Sequence, residues 1–148
     1  MNLEKMSTKQ TNYRKIGFVI SKSNHIIVTG KINGTVGRFI LDTGASNSCI
    51  GNEEETHFNV IAVPNGSTAT GAGSMGIQTK ISIGNVIHLS RWKTLKATLI
   101  SIDLTYINLA LETHKIKPVN GIIGADLLIE HDAVIDYATK KIILVQKY

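Results

Sequence analysis

Apolar and polar residues follow a strand-like pattern along most of the chain. The runs at residues 16–20, 25–32 and 35–41 are rich in β-branched and other apolar side chains, and such runs favour strands. Asn33 and Gly34 separate the last two runs. Because this pair tolerates the positive φ angles of a tight turn, the pattern predicts an antiparallel hairpin built from the second and third runs.

The β pattern continues through the middle of the chain. Residues 60–63 predict a strand, and the Pro-Asn-Gly stretch at 64–66 predicts a turn after it. A hairpin containing several glycines is predicted at 68–84, where glycine weakens a strand but permits close backbone approach. Residues 85–104 predict two further strands.

Helical spacing occurs in two short stretches of the second half. Apolar residues recur at helical spacing over residues 105–114, with Thr105 as the predicted N-cap. A second helix is predicted over about residues 125–131, after an apolar strand and before strands that begin near residues 133 and 140. The chain is therefore predicted to be mostly β with two short helices.

The length and the ends of the chain indicate one domain. At 148 residues the chain can bury a sizeable core. Residues 1–14 are polar and predict a disordered N-terminus, which leaves residues 15–148 as a single domain. No apolar run approaches the roughly 18 residues of a membrane span, and no secretory signal pattern is present. With Cys49 as the single cysteine, these features predict a cytoplasmic protein without membrane contact.

The formal net charge of +5 raises the question of nucleic-acid binding. The 16 lysines and arginines are scattered, and no basic runs alternate with aromatic residues. A solvated basic surface is the favoured interpretation. Nucleic acid is therefore not predicted as a partner, and the salt dependence of oligonucleotide binding would decide the question.

Other reactive side chains lack a recognisable metal or cofactor motif. The five histidines do not have the short spacing of a zinc site, and no metal or cofactor is predicted. Asp126 is expected to favour a helix N-terminus. Cys49 is expected to be a small core residue, because no histidine motif accompanies it as a base.

An Asp-Thr-Gly tripeptide directly follows the third apolar run. The strand holds Asp42 rigidly, Thr43 can hydrogen-bond to backbone, and Gly44 lets the chain turn with nothing in the way of a ligand. Two interpretations remain at this point. Asp42 caps a turn, which is the commonest fate of an aspartate near a glycine, or it is a reactive carboxylate.

The tripeptide lies within a longer resemblance to a known family. Residues 25–46, HIIVTGKINGTVGRFILDTGAS, resemble the opening of the retropepsin-like aspartic proteases. Residues 118–128, PVNGIIGADLL, resemble the second signature of that family, and the glycine-rich residues 70–76 fall where the family has its flap. The resemblance covers about residues 25–145 and is to cellular, bacterial-type members. It implies an all-β closed barrel with one or two short α-helices.

The resemblance also implies an activity, that of an aspartic endopeptidase without a cofactor. Two adjacent carboxylates share one proton; the charged one activates a water and the neutral one polarises the scissile carbonyl. No other aspartate precedes Thr-Gly or Ser-Gly. One chain thus supplies half of the pair, which implies a homodimer with Asp42 of each subunit facing across a two-fold axis and an extended polypeptide as substrate.

Further site residues are implied by their match to family positions. The Thr43 hydroxyl is expected to tie the two loops together, and the Gly44 carbonyl to hold the substrate backbone. Substrate-contacting positions fall into a cleft-wall group and a flap group. The cleft-wall group is Ala45, Ser46, Val119 and Ile122, and the flap group is Gly71, Ala72 and Gly73.

The sequence departs from the retroviral pattern at two residues and in the length of one segment, and from the pepsin-like pattern at Ala45. Ser46 and Ala125 replace an acidic residue and an arginine that pair with each other, which predicts a differently built dimer interface. Ala45 lacks the hydroxyl that stabilises the carboxylate in pepsin-like enzymes, which predicts a pH optimum nearer neutral than that of pepsin. The segment 85–117 is longer than in a minimal retroviral enzyme, and a lid, a dimer element and a partner surface all remain open.

A second function keeps the fold without the activity. The chain could form a non-catalytic dimeric module for peptide binding or assembly. The intact Asp42-Thr43-Gly44 tripeptide argues against it, because a binding module has no need for two unpaired carboxylates in a cleft.

Overall fold

The computed structural model describes residues 12–71 and 74–147, which form a mostly β fold. Its two helices are α1 (Thr105–Thr113) and α2 (Ala125–Glu130), and a short 3-10 helix spans Asn52–Glu54. The strands, in chain order, are β1 (Tyr13–Gly17), β2 (Val19–Ile20), β3 (Ile26–Ile32), β4 (Thr35–Leu41), β5 (Cys49–Gly51), β6 (Val63–Gly71), β7 (Ser74–Leu89), β8 (Trp92–Ile102), β9 (Gly121–Ile123), β10 (Val134–Asp136) and β11 (Lys141–Val145).

Six of these strands close into a barrel. The hydrogen-bonded order is β3-β4-β9-β5-β8-β7, and pairing between β3 and β7 closes the ring. The neighbours β4 and β9 are parallel, as are β5 and β8, whereas β5 runs antiparallel to β9. The predicted closed barrel with short helices is therefore confirmed.

The chain termini form a separate small sheet. Its order is β1-β11-β10, with both pairings antiparallel. The register places Ile16 opposite Ile142 and Val134 opposite Ile143. Strand β1 thus pairs with β11, the last strand of the described residues, within the same chain.

Two buried clusters make up the hydrophobic core. The larger one lies between the barrel and the small sheet and includes Phe39, Phe58 and Trp92. The smaller one lies under α1 and includes Ile40, Leu111 and further residues of the barrel wall. Because buried and exposed residues alternate along most of β3 and β8, each strand buries one face, as the period of two predicts.

The predicted hairpin is confirmed at Asn33 and Gly34. Their φ angles are 50° and 88°, the left-handed values that a tight hairpin turn requires. The Asn33 side chain also donates to the Phe58 carbonyl at 3.0 Å and accepts from the Val86 amide at 2.9 Å. The turn is therefore tied to neighbouring parts of the barrel.

Three local predictions are corrected. Residues 64–66 do not form a turn, because strand β6 runs through them and the ladder shifts register between Pro64 and Thr68; a proline lacks the N–H that a regular ladder needs. Thr105 is the first helical residue of α1 and not its N-cap, and its amide donates to the Asp103 carboxylate at 2.9 Å. Strand β1 begins at Tyr13, before the predicted domain boundary, while residues 1–11 lie outside the described residues.

The last part of the chain is held by a buried histidine. The His131 ring packs edge-on against Trp92, with ring centroids 4.8 Å apart, and its Nδ1 lies 3.3 Å from the Val145 carbonyl. Its Nε2 has no hydrogen-bond partner in the described part of the chain, and the nearest carboxylate, Glu130, is 3.7 Å away. Burial lowers the pKa of His131, and the charge of Glu130 opposes this only partly.

Acid should therefore destabilise the fold through His131. As the pH falls below the ordinary histidine pKa, the unfolded chain binds a proton that the folded chain resists. The free energy of unfolding is expected to fall with pH below about 6.5, by at most about 1.4 kcal/mol per pH unit for this proton. Urea titrations at several pH values check this. His131→Phe should flatten the slope, whereas the exposed His114→Gln should not; an unchanged slope in His131→Phe would contradict the assignment.

Candidate active site

Asp42 lies at the end of β4, where the chain leaves the buried barrel wall. Its amide donates to the Ile123 carbonyl at the end of β9 at 2.9 Å. Since β4 and β9 are parallel, both strands end at the same edge of the barrel, and loops that follow them meet there. The Asp42 side chain is exposed at this edge.

The turn after Asp42 orients its carboxylate. The Gly44 amide donates to Asp42 Oδ1 at 2.8 Å, and the Ala45 amide donates to the Asp42 carbonyl at 3.2 Å. A Cβ atom at Gly44 would lie only 3.2 Å from Asp42 Oδ1. Asp42 thus caps its own turn, as one interpretation of the sequence has it, yet it keeps an exposed carboxylate that a second group could approach.

Ser48 and Asp126 hold this loop in place. The Ser48 amide donates to both carboxylate oxygens of Asp126 at 3.0 Å, and the Ser48 hydroxyl donates to Oδ1 at 2.8 Å. The same hydroxyl accepts from the Gly124 amide at 2.9 Å. As expected, Asp126 is in the first turn of α2 and accepts from the Leu127 amide. Its bond to Ser48 joins residues 78 positions apart, and no local pattern reveals such a pair.

Gly124 allows the two segments to cross closely. The Ala125 amide donates to the Ala45 carbonyl at 2.7 Å. A Cβ atom at Gly124 would lie 2.7 Å from that carbonyl oxygen and 2.9 Å from the backbone of Asn47. These distances are too short for any side chain, which gives a physical reason for the glycine in the second signature.

The predicted cleft-wall and flap residues differ in how far they are exposed to solvent. Ala45 is half-buried and Ser46 is exposed beside Asp42. Val119 and Ile122 are only 2% and 6% exposed and belong to the smaller core cluster. The prediction that their side chains line the cleft is therefore corrected, because both face the core beneath α1. Gly71 is the last residue of β6. The flap positions 72 and 73 lie outside the described residues.

Cys49 is a core residue, as predicted. Burial raises the pKa of its thiol to about 12, and the nearby carboxylates of Asp126 and Asp42 act in the same direction. At neutral pH the thiol is therefore protonated and a poor nucleophile. Over residues 12–71 and 74–147, no three His, Cys, Asp or Glu side chains are grouped so as to hold a metal ion.

The long segment 85–117 contributes to the core through α1. Leu111 of α1 is buried in the smaller cluster, and the Asn108 side chain holds the backbone of Val119 by accepting from its amide and donating to its carbonyl. A groove of about 510 Å³ lies between α1 and the 3-10 helix. Of the described helices, none is long and apolar enough to cross a membrane.

Three solved structures are similar to this fold. A retropepsin-like aspartic protease from Rickettsia conorii matches with a TM-score of 0.58 at 14% identity, over 90% of this chain and 91% of that one. EIAV protease in complex with the inhibitor HBY-793 matches with a TM-score of 0.55 at 18% identity, over 76% of this chain and 92% of that one. The retroviral protease-like domain of Ddi1 from Leishmania major matches with a TM-score of 0.51 at 17% identity, over 77% of this chain and 82% of that one.

All three of these structures have the retropepsin-like fold. No family model matches the sequence, and no curated protein does. At such low identities the likeness concerns the fold. The chain therefore has the retropepsin-like aspartic protease fold, and the resemblance read from the two sequence signatures is confirmed at that level.

The Ser48–Asp126 pair should stabilise the whole fold as well as the loop. Asp126→Ala leaves two donors on Ser48 without their acceptor, and an unsatisfied buried group costs about 1–3 kcal/mol. We expect the free energy of unfolding to fall by about 2 kcal/mol or more, with a smaller loss in Asp126→Asn because an acceptor oxygen remains. Urea denaturation measures this, with exposed Ser46→Ala as the control. Additive losses in Ser48→Ala and Asp126→Ala would show that the two do not act as a pair.

Proposed function

We propose that this chain is an aspartic endopeptidase that acts as a homodimer. The observation that carries the proposal is the exposed Asp42 carboxylate, oriented by the Gly44 amide at the end of a buried strand, in a chain with the retropepsin-like fold. A peptide-bond hydrolase of this kind needs no metal and no covalent intermediate, because its nucleophile is water.

The chemistry requires two Asp42 carboxylates, one from each subunit. Held close together, the pair binds a single proton. The charged carboxylate takes a proton from a water while the water oxygen attacks the scissile carbonyl carbon, and the protonated carboxyl donates its proton to the carbonyl oxygen. The carboxyl that took the proton from the water then donates it to the scissile nitrogen, while the other carboxylate takes a proton from a hydroxyl of the tetrahedral intermediate. The C–N bond breaks, the products are a carboxylic acid and an amine, and the pair again holds a single proton.

Of the four other aspartates in the described chain, three have carboxylates that accept local hydrogen bonds, and the fourth, Asp132, lines a depression that Thr43 also borders. Asp126 is occupied by Ser48. Asp103 accepts from Thr105 at the start of α1, and Asp136 accepts from the amides of Ala138 and Thr139 in a turn. The sequence also contains a single Asp-Thr-Gly, which supports a second chain as the source of the second carboxylate.

The remaining site roles follow from the same proposal. Thr43 is exposed beside Asp42 and is available to tie the two loops together, and Gly44 presents its carbonyl to an extended substrate. Ala45 and Ser46 flank the carboxylate, and the flap at residues 71–73 would meet the substrate. Val119 and Ile122 are buried in the core beneath α1, so the predicted substrate contact of their side chains is not part of the proposal. Because Ala45 offers no hydroxyl to Asp42, we expect the activity to peak nearer neutral pH than that of pepsin.

Removal of the Asp42 carboxylate should abolish proteolysis without unfolding the protein. The loss of a general base or acid lowers turnover by about 10²–10⁴-fold, so Asp42→Asn is expected to lose at least about a hundredfold in a peptide-library digest. The matched control is Asp103→Asn, which removes the same charge from an exposed aspartate and keeps an oxygen that can accept from Thr105.

The same experiment separates the two candidate functions. Cleavage that survives Asp42→Asn would overturn the proposal. A dimer that binds library peptides but leaves them intact over pH 3–8 would instead be the non-catalytic binding module. Sedimentation of the wild type tests the dimer independently, and a monomer at micromolar concentrations would contradict a shared site.

A further inference from the structure

A groove of about 560 Å³ lies where the barrel strands β3 and β4 meet the beginning of the small sheet. Its walls come from β1 to β4, from Ser90 after β7 and from the turn that leads into β11. The groove shares no lining residue with the groove at α1 or with the depression beside Thr43. It is therefore separate from the candidate active site.

Three cations and no carboxylate line this groove. The cations are Arg38, Lys140 and Lys141, and none of them forms an ion pair with a carboxylate of the described chain. Asp136 lies opposite Lys141 in the ladder of β10 and β11, but its carboxylate accepts two backbone amides of the following turn. No ion pair within the described chain therefore neutralises the positive charge of the groove.

The neighbouring wall of the barrel extends this positive charge. Thr29 lines the groove, and Lys31, two residues later on β3, is on the same face of the strand. The register places Lys31 opposite His88 of β7, and His88 opposite Lys93 of β8. Both lysines are exposed. The fold thus gathers into one basic band five cations that are scattered along the sequence: Lys31, Arg38, Lys93, Lys140 and Lys141.

The floor of the groove is apolar. Ile16, Phe18 and Ile27 line it and are buried, whereas Val19 lines it and is 61% exposed. Binding sites that combine apolar walls with a few charged groups take ligands of the same mixed character, because the apolar part supplies burial and the charges fix orientation. The ligand that this groove fits has apolar groups next to anionic groups.

The lining residues favour a polypeptide over a nucleic acid. Proteins that bind single-stranded nucleic acid combine a positive groove with aromatic side chains on which the bases stack. Among the described lining residues, the aromatic one is Phe18, which is only 6% exposed. The exposed Tyr137 packs edge-on against Phe18 but does not line the groove. An acidic peptide needs no stacking ring, and its apolar side chains match the floor.

We propose that this groove binds an acidic segment of another polypeptide. Carboxylates of the segment pair with Arg38, Lys140 and Lys141, and its apolar side chains cover Val19. Lys31 and Lys93 extend the attraction beyond the groove and speed the encounter. The inference goes beyond the proposed function, because the groove does not involve Asp42 and would serve a non-catalytic binding module equally well. In a protease it recruits substrates that carry an acidic segment.

The test measures binding of a short fluorescein-labelled peptide in which glutamates alternate with valine and serine. The control peptide has glutamine in place of every glutamate. The protein carries Asp42→Asn so that the probe stays intact, and fluorescence anisotropy is recorded at low salt, where exposed charges are least screened. We expect the glutamate peptide to bind at least about tenfold more tightly than the glutamine peptide. Equal affinity for the two peptides would overturn the proposal.

Removal of two cations should weaken this binding at the groove only. Lys140→Gln with Lys141→Gln is expected to raise the dissociation constant about fivefold or more. The matched control is Lys96→Gln with Lys115→Gln, which removes the same charge from exposed lysines outside the groove. Lys115 also shares the positive φ of Lys140, 58° against 55°. Thermal unfolding checks the folds. Equal losses in both double variants would show a response to net charge alone and would contradict the site.

A carboxylate placed on the floor should repel the probe. Val19→Glu is expected to raise the dissociation constant about tenfold or more, because like charges then meet beside an apolar contact. Val63→Glu on β6 is the control, since Val63 is similarly exposed, 55% against 61%, and does not line the groove. Equal dissociation constants for the two variants would contradict binding in the groove.

The outcomes separate this inference from other ligands and from the proposed function. A labelled single-stranded oligonucleotide that binds more tightly than the acidic peptide, and loses affinity in the Lys140 and Lys141 double variant, would assign the groove to nucleic acid and overturn the proposal. Cleavage that depends on Asp42 without peptide binding in the groove would overturn this inference alone. Specific peptide binding by a protein without proteolytic activity would support the inference and contradict the proposed function.

Discussion

The close crossing of two backbone segments, the turn after Asp42 and the bend at Gly124, is the constraint on which the site depends. The two segments lie so close together that Gly124 has no room for a Cβ atom. Ser48 and Asp126 join them through hydrogen bonds to the backbone amides of Ser48 and Gly124 and through a bond between their own side chains. A loop held in this way can be exposed and still rigid, because its order comes from buried bonds beneath it and not from its own contacts. Such rigidity is what a reactive carboxylate needs.

The same crossing gathers several elements of the chain at one edge of the barrel. Strands β4 and β9 end there together, so the Asp42 turn, α2 and the entry to β10 are neighbours around one apolar depression. In the small sheet, β1 pairs with β11 of the same chain, and in the described residues β10 pairs on one side only.

Local chemistry predicted those parts of the fold that short stretches of sequence control. The Asn33-Gly34 turn requires positive φ angles that few residue pairs tolerate, and the two helices follow from apolar spacing. Errors arose where a tertiary contact overrides a local preference. Residues 64–66 contain Pro and Gly, typical of turns, yet pairing with the long β7 strand keeps them in β6. Thr105 is a good capping residue, but Asp103 two positions earlier already accepts its amide.

The sequence by itself determined the β-rich pattern, the position of Asp42 at a strand end and the absence of a second Asp-Thr-Gly, since these depend only on residues close together in the chain. The tertiary structure decided what lies around them. It brought Ser48 to Asp126 across 78 positions, buried Val119 and Ile122 beneath α1, and left β10 as an open edge. These contacts join segments that are far apart in the chain. They form only when the barrel closes, so local sequence preferences do not predict them.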